Sequence, residues 1–119
     1  MAQSAHPYRL GRSFSLGRNK YHQLVFRRGK SWPGRLMVLV YLKGRGLRVG
    51  FSTSSKVGNA VTRNRIRRWM REDFRLSRQR IKDGRYIFVA RRLAAERPHS
   101  QLTREMRSLL QQAGLWQEE

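Results

Sequence analysis

The chain has 119 residues, with 27 Lys and Arg against 7 Asp and Glu for a formal charge of +20. That length fits one domain with a modest core, and that charge points to a polyanionic partner, nucleic acid ahead of a membrane surface. The absence of cysteine excludes disulfides and cysteine-ligated metal and is compatible with a cytoplasmic location, while the longest apolar run, residues 36–42, is far below the ~20 residues of a membrane helix.

In chain order, residues 1–15 read as a flexible basic arm, 16–115 as a single domain and 116–119 as a tail. The first seven residues lack the apolar core of a signal peptide. A helix is predicted over 19–28: Asn19 can cap it, Tyr21, Leu24 and Val25 follow i, i+3, i+4 spacing, and Gly29 stops it. Residues 30–35, with Trp32-Pro33-Gly34, read as a loop with room for a short edge strand before the proline. Residues 36–42 form a buried strand and 43–46 a turn. Residues 47–54 alternate, with Leu47, Val49 and Phe51 on one side and Arg48, Gly50 and Ser52 on the other. The two strands are expected to pair as an antiparallel hairpin.

A long helix is expected from about Gly58 or Asn59 to Ile81. Asp83-Gly84 breaks the chain, residues 86–90 form a third strand, and 91–99 form a basic loop. Ser100 can cap a last helix that carries Leu102, Met106, Leu109, Leu110 and Ala113 on one stripe and ends at Gly114. The order α-β-β-α-β-α implies an α+β fold with helices packed on one sheet.

The stretch 56–75 concentrates the chemistry. It holds Lys56, Arg63, Arg65, Arg67, Arg68, Arg71 and Arg75. On a helical wheel of roughly 100° per residue, Ile66, Trp69, Met70 and Phe74 share one third, which reads as core. Arg63, Arg67, Arg68, Arg71 and Arg75 fan across another third with Asn64 among them. Arg65 projects roughly 160–200° away from Arg63 and Arg67, so it must act from the flank of the helix or near its entry. Arginine meets phosphate through paired hydrogen bonds and stacks on bases. A solvated basic face is the plainer alternative, but the chain has too little acid to neutralise it, so an electrostatic footprint is the better reading. Gly58-Asn59 at the entry can present backbone N–H groups to an anion or simply cap the helix.

Side-chain catalysis has little support, and no residue is assigned a catalytic role. His6 and His99 read as solvated surface and His22 has no partner in the pattern. Glu72 and Asp73 are neighbours on a helix, pointing about 100° apart, and read as intrahelical partners for nearby arginines rather than metal ligands. No Gly-rich phosphate loop ends in Lys-Ser/Thr. Tyr21, Phe26 and Trp32 are left open between core and base-stacking roles. DNA is less favoured than RNA because no helix-turn-helix pair is present. From residues alone the chain is an RNA-binding α+β domain with no small-molecule substrate, and a ribosomal-type structural protein is the alternative function.

Residues 47–52, Leu-Arg-Val-Gly-Phe-Ser, lead into Lys56-Val57-Gly58-Asn59-Ala60-Val61-Thr62-Arg63-Asn64-Arg65-Ile66-Arg67-Arg68. This stretch closely resembles the protein component of bacterial ribonuclease P, with Val25-Phe26-Arg27-Arg28-Gly29 upstream and residues 86–91 downstream agreeing in kind. The resemblance covers roughly residues 9–113. It implies an α-β-β-β-α-β-α order with a left-handed βαβ crossover, and a protein subunit that assists a catalytic RNA. That RNA, with Mg²⁺, removes the 5′ leader of precursor tRNA and leaves a 5′-phosphate; the protein has no metal site of its own. The implied partners are the RNA subunit and the single-stranded leader. Lys56, Asn59, Arg63, Asn64, Arg65, Arg67, Arg68 and Arg71 are the implied RNA contacts. Tyr21, His22, Phe26 and Arg48 are the implied leader-cleft residues; the family often carries two aromatics four residues apart on its first helix, and counting back from Phe26 gives His22, with Tyr21 beside it. The family also often has two lysines before its Val-Gly-Asn segment, where this chain has Ser55-Lys56.

Overall fold

In the computed structural model, which describes residues 14–17 and 19–118, the elements are α1 (Asn19–Arg28), β1 (Lys30–Pro33), β2 (Met37–Leu42), β3 (Leu47–Thr53), α2 (Ala60–Ser77), β4 (Gly84–Ala90) and α3 (His99–Gln112). The order α-β-β-β-α-β-α implied by the resemblance is present, and β1 is the edge strand for which the loop before Pro33 had room. Of the arm, residues 1–13 lie outside the described residues; Ser15 bridges Val49 on β3, and Leu16 is buried.

The strands lie in the order β1-β2-β4-β3. β1 with β2 and β2 with β4 are antiparallel, and β3 with β4 is parallel. The expected hairpin between residues 36–42 and 47–54 therefore does not form, because β4 lies between them. The physical reason is that β4 is apolar on both faces, with Tyr86, Ile87 and Phe88 fully buried, and a doubly buried strand belongs inside a sheet. β3 carries Arg48, Gly50 and Ser52 on one face and suits an outer position. The turn after β2 is tied to β4 instead: Gly84 N–H donates to Gly46 O (2.8 Å) and Arg85 Nη1 to Arg45 O (2.8 Å).

Strand alternation divides the core into two layers. On one face, α1 covers Leu16, Val25, Val40 and Ile87. On the other, Met37, Leu39, Tyr86 and Phe88 meet Ile66, Met70 and Phe74 of α2 and Leu102, Met106, Leu109 and Leu110 of α3. The strand β3, α2 and β4 form a parallel βαβ unit, so the basic helix is the crossover itself.

Element ends have local causes. α1 stops at Gly29, whose N–H donates to Val25 O (2.8 Å). A Cβ there would lie 2.6 Å from Val25 O and 2.7 Å from Tyr41 O, so only glycine fits the approach of α1 to β2. α2 ends at Ser77, four residues before the expected limit, and a 3-10 turn over Arg78–Arg80 follows. α3 starts at His99 with Pro98 as N-cap, not at Ser100, because His99 is held by α2. Gly114 adopts φ +74° after α3. Beyond it, Leu115 is buried, Trp116 bridges Ile81 and Gln117 N–H donates to Arg80 O (2.6 Å), which ties the described end of the chain to the connection between α2 and β4.

Candidate nucleic-acid interface

α2 is capped by Asn59, whose side chain accepts from Thr62 N–H (2.9 Å). Its inner stripe is Ile66, Met70 and Phe74, each fully buried. The basic residues then occupy three sides. Arg68 stands at the crest, opposite that stripe, and is exposed. On the β3 flank, Arg63 Nη1 donates to Gly58 O (2.7 Å) and Arg67 Nη1 to Thr53 Oγ1 (2.6 Å). Arg67 Nη2 also donates to Asn64 Oδ1, and the exposed Arg71 lies 5.4 Å over the Phe51 ring. On the opposite flank, Arg65 lies 5.2 Å over the Trp69 ring, with its Nε buried and without a hydrogen-bond partner. Lys56 is exposed in a 3-10 turn over Ser55–Val57, just before α2.

No Asp or Glu among the described residues pairs with Arg63, Arg65, Arg67, Arg68 or Arg71. Glu72 pairs with Arg75 (2.7 Å) as the sequence predicts, and the hydrogen bond from Arg75 holds its carboxyl below the usual range. Asp73 does not act as an intrahelical partner. It is buried, and it accepts from Thr103 Oγ1 (2.9 Å) and pairs with His99 Nε2 (2.9 Å). Burial pushes its carboxyl up, against the pull of those two hydrogen bonds.

His99 is therefore not solvated surface. Its ring stacks on Trp69 with centroids 4.9 Å apart and planes 2° apart. Trp69 is half-buried at the core margin rather than inside it, because the second face of its indole carries Arg65. No spacing in the sequence signals this stack: its members lie on different helices, and only the docking of α3 on α2 brings them together. Thr53 was missed for the same reason. His6 lies outside the described residues.

A second region lies where α1 approaches β3. The His22 ring packs on Gly50, so closely that a Cβ on Gly50 would sit 2.4 Å from its Cε1. Burial pushes the His22 imidazole below its ordinary range. Phe26, one turn further along the same flank, is 48% exposed. Arg48 is half-buried on β3 and donates to Leu47 O (3.0 Å). Tyr21 stands apart from this pair, 47% exposed, beside Gly17 and under Lys20 Nζ at 5.3 Å. His22 and Phe26 thus share one flank of α1, and Tyr21 does not.

Among the described residues no three His, Cys, Asp or Glu side chains converge as a metal-ligand set. No helix there is long and apolar enough to cross a membrane.

Comparison with known proteins gives one consistent result. The family model described as Ribonuclease P matches residues 10–114. A ribonuclease P protein component from an Exiguobacterium species is 36% identical over 110 residues, covering 91% of this chain and 96% of the relative. One from Listeria monocytogenes is 43% identical over 88 residues, covering 71% and 74%. Among solved structures, the RNase P protein of Staphylococcus aureus superposes with a TM-score of 0.82 at 28% identity, covering 87% of this chain and 97% of that one. The RNase P protein of Thermotoga maritima gives a TM-score of 0.70 at 26% identity, covering 76% and 89%.

Proposed function

The chain belongs to the ribonuclease P protein family, and from that premise we propose that α2 binds the catalytic RNA while the α1–β3 groove holds the single-stranded 5′ leader of precursor tRNA. As a ribonuclease P protein component it is part of the tRNA-processing ribonuclease P complex, with the ribonuclease P RNA as its partner.

One observation carries the first half of the reading. α2 presents Arg63, Arg65, Arg67, Arg68 and Arg71 on its crest and both flanks, and no carboxylate among the described residues neutralises them. Guanidinium groups with no acidic partner are relieved by phosphate, and the release of counterions makes such binding strong and salt-dependent. A helix that is charged on three sides suits a folded RNA that wraps it better than a flat duplex. Lys56 and Asn59 extend the contact to the helix entry; Asn59 Oδ1 caps the helix, which leaves its amide N–H groups for RNA.

The leader reading rests on His22, Phe26 and Arg48. An exposed ring one turn from a desolvated imidazole, above a strand with a guanidinium at its rim, suits bases that stack and a backbone that needs one cation. Burial lowers the His22 imidazole from its ordinary range, and its ring packed on Gly50 offers stacking and a hydrogen bond.

Mg²⁺ is assigned to the RNA subunit, where it supplies the activated water and charge neutralisation that phosphodiester hydrolysis needs. Three of the protein's carboxylates have other duties: Asp73 holds His99 and Thr103, Glu72 holds Arg75, and Glu105 accepts backbone N–H groups.

The test is reconstitution with the catalytic RNA at low Mg²⁺, scoring 5′ processing of precursor tRNA. The protein is expected to restore cleavage there. Cleavage by nuclease-treated protein without the RNA, or no effect of the protein on the RNA's activity, would overturn the reading.

A further inference from the structure

The opposite edge of the sheet carries a feature that neither α2 nor the α1–β3 groove uses. β1 is the outer strand, and no strand lies beyond it among the described residues. The pairs Lys30–Tyr41 and Trp32–Leu39 face one another across β1 and β2, so Trp32 and Tyr41 project from the same face of the sheet. α2 and α3 cover that face, and α3 ends near them, at Gln112 with Ala113 as its C-cap. The result is a cavity of about 370 Å³ lined by Arg28, Lys30, Trp32, Tyr41, Lys43 and Ala113.

Its chemistry is specific. Trp32 is half-buried, whereas Arg28, Lys30 and Lys43 are exposed, and no acidic residue lines the cavity. Tyr41 is a fixed wall: its ring meets Tyr86 edge-on at 4.9 Å and its hydroxyl donates to Asp83 O (2.7 Å). Rigid aromatic surface ringed by cations is the arrangement that holds an unpaired base and its phosphates, and the volume falls in the range of small-ligand pockets, roughly 300–1,000 Å³.

The strip continues along α3. At the other end of β1 a cleft of about 540 Å³ is lined by Arg35, Arg97 and Arg104. The one carboxylate in its lining, Glu105, accepts from the backbone N–H groups of Arg35, Leu36 and Met37 (3.2, 2.7 and 2.9 Å). It is therefore committed to the chain and leaves those arginines for a phosphate backbone passing from one cavity to the next.

We propose that the flank between β1 and the C-terminal half of α3 is a second single-stranded RNA site, in which an unpaired base of the RNA subunit stacks on Trp32 beside Tyr41 and its phosphates lie against Arg28, Lys30 and Lys43. This rests on the reading that the chain binds the RNA subunit. The RNA subunit is chosen over the leader because the leader groove lies at β3, on the other edge of the sheet and its other face.

The experiment is a nucleotide-resolution footprint of the RNA subunit in complex with the full-length protein. The variants are W32L, W32F, the double variant K30A/K43A, and R68A from α2. W32L and K30A/K43A are expected to lose protection at one and the same unpaired segment, and W32L to weaken RNA binding roughly 5- to 150-fold, the span of one base–aromatic stack. W32F is expected to keep most of both, and R68A to lose protection elsewhere. Lys30 and Lys43 are exposed, so their replacement tests the site without disturbing the core. An unchanged footprint and affinity in K30A/K43A and W32L would overturn the proposal, as would losses of protection in those two variants at different segments of the RNA subunit. If R68A alone has no effect, the α2 reading fails and the flank stands.

Discussion

The Trp69 indole and the His99 imidazole lie face to face, centroids 4.9 Å apart and planes 2° apart. The pair joins α2 to the first residue of α3. On its far side Trp69 carries the Arg65 guanidinium at 5.2 Å, and His99 in turn is held by Asp73 through a 2.9 Å bond. Arg65 is thus braced by a chain of contacts that ends in the core. His99→Phe keeps the ring and removes the donor; His99→Ala removes both. Urea unfolding is expected to show a loss of about 1–3 kcal/mol for H99F, from the buried Asp73 left with fewer partners, and a further 0.5–1.5 kcal/mol or about that for H99A from the lost stack. Equal stability of the two variants would deny the stack any role.

Arg68 and Arg67 separate RNA contact from structure. Arg68 is exposed at the crest of α2, so Arg68→Ala should leave the unfolding midpoint unchanged. It should weaken RNA binding and lower the slope of log K against log salt by about 0.7–0.9, the loss of one phosphate contact. Arg67→Ala should also cost about 1 kcal/mol of stability, because Arg67 donates to Thr53 Oγ1. Binding titrations at several salt concentrations, paired with unfolding curves, check both.

Gly50 and His22 make the floor and wall of the α1–β3 groove, the proposed place of the leader. Gly50→Ala would place a methyl 2.4 Å from His22 Cε1. The ring can swing away, so the stability cost is expected to stay near 1 kcal/mol, while leader affinity falls more than affinity for the RNA subunit alone. Binding of precursor tRNA with and without a leader reads the difference.

His22 also sets a pH dependence. Its pKa is depressed from the ordinary 6.5 by burial, so the unfolded chain binds the proton more readily than the folded one. Its contribution to stability is therefore present above pH 6.5 and is lost as pH falls through the lower folded value. Melting temperature measured from pH 8 to pH 5 should decline less in His22→Gln than in the parent chain over that window. A parallel decline would place the titrating group elsewhere.

Glu105 organises the turn between β1 and β2 by accepting three backbone N–H groups. Glu105→Ala leaves them without an acceptor and should cost about 1–3 kcal/mol, read by unfolding. Glu105→Gln keeps one oxygen and should recover part of that loss.

The residues themselves identified α1 to its end at Arg28, the inner stripe of α2, the alternation of β3 and the family signature around Arg63-Asn64-Arg65. Those features are local: each depends on spacing along one element, on a glycine that stops a helix or on a run of residue types. The partner of the middle strands was not legible, because β2 and β3 are joined by a turn that would suit a hairpin. Only the burial of β4 on both faces puts it between them. Asp73 and His99 were misread for a related reason, since a carboxylate one position from Glu72 gives no sign of which helix it faces.

The charge, the helical periodicity that separates Ile66, Met70 and Phe74 from Arg68, and the family to which these patterns belong are all legible in the order of residues. Only the docking of the elements settles which arginines of α2 lack a carboxylate partner among the described residues, which ring of α1 lies on Gly50, and how much of the β1 and β2 aromatics stays uncovered. The reason is physical. Periodicity fixes the direction of a side chain relative to its own element, whereas its neighbours depend on how elements dock, and that is set by burial summed over the whole core.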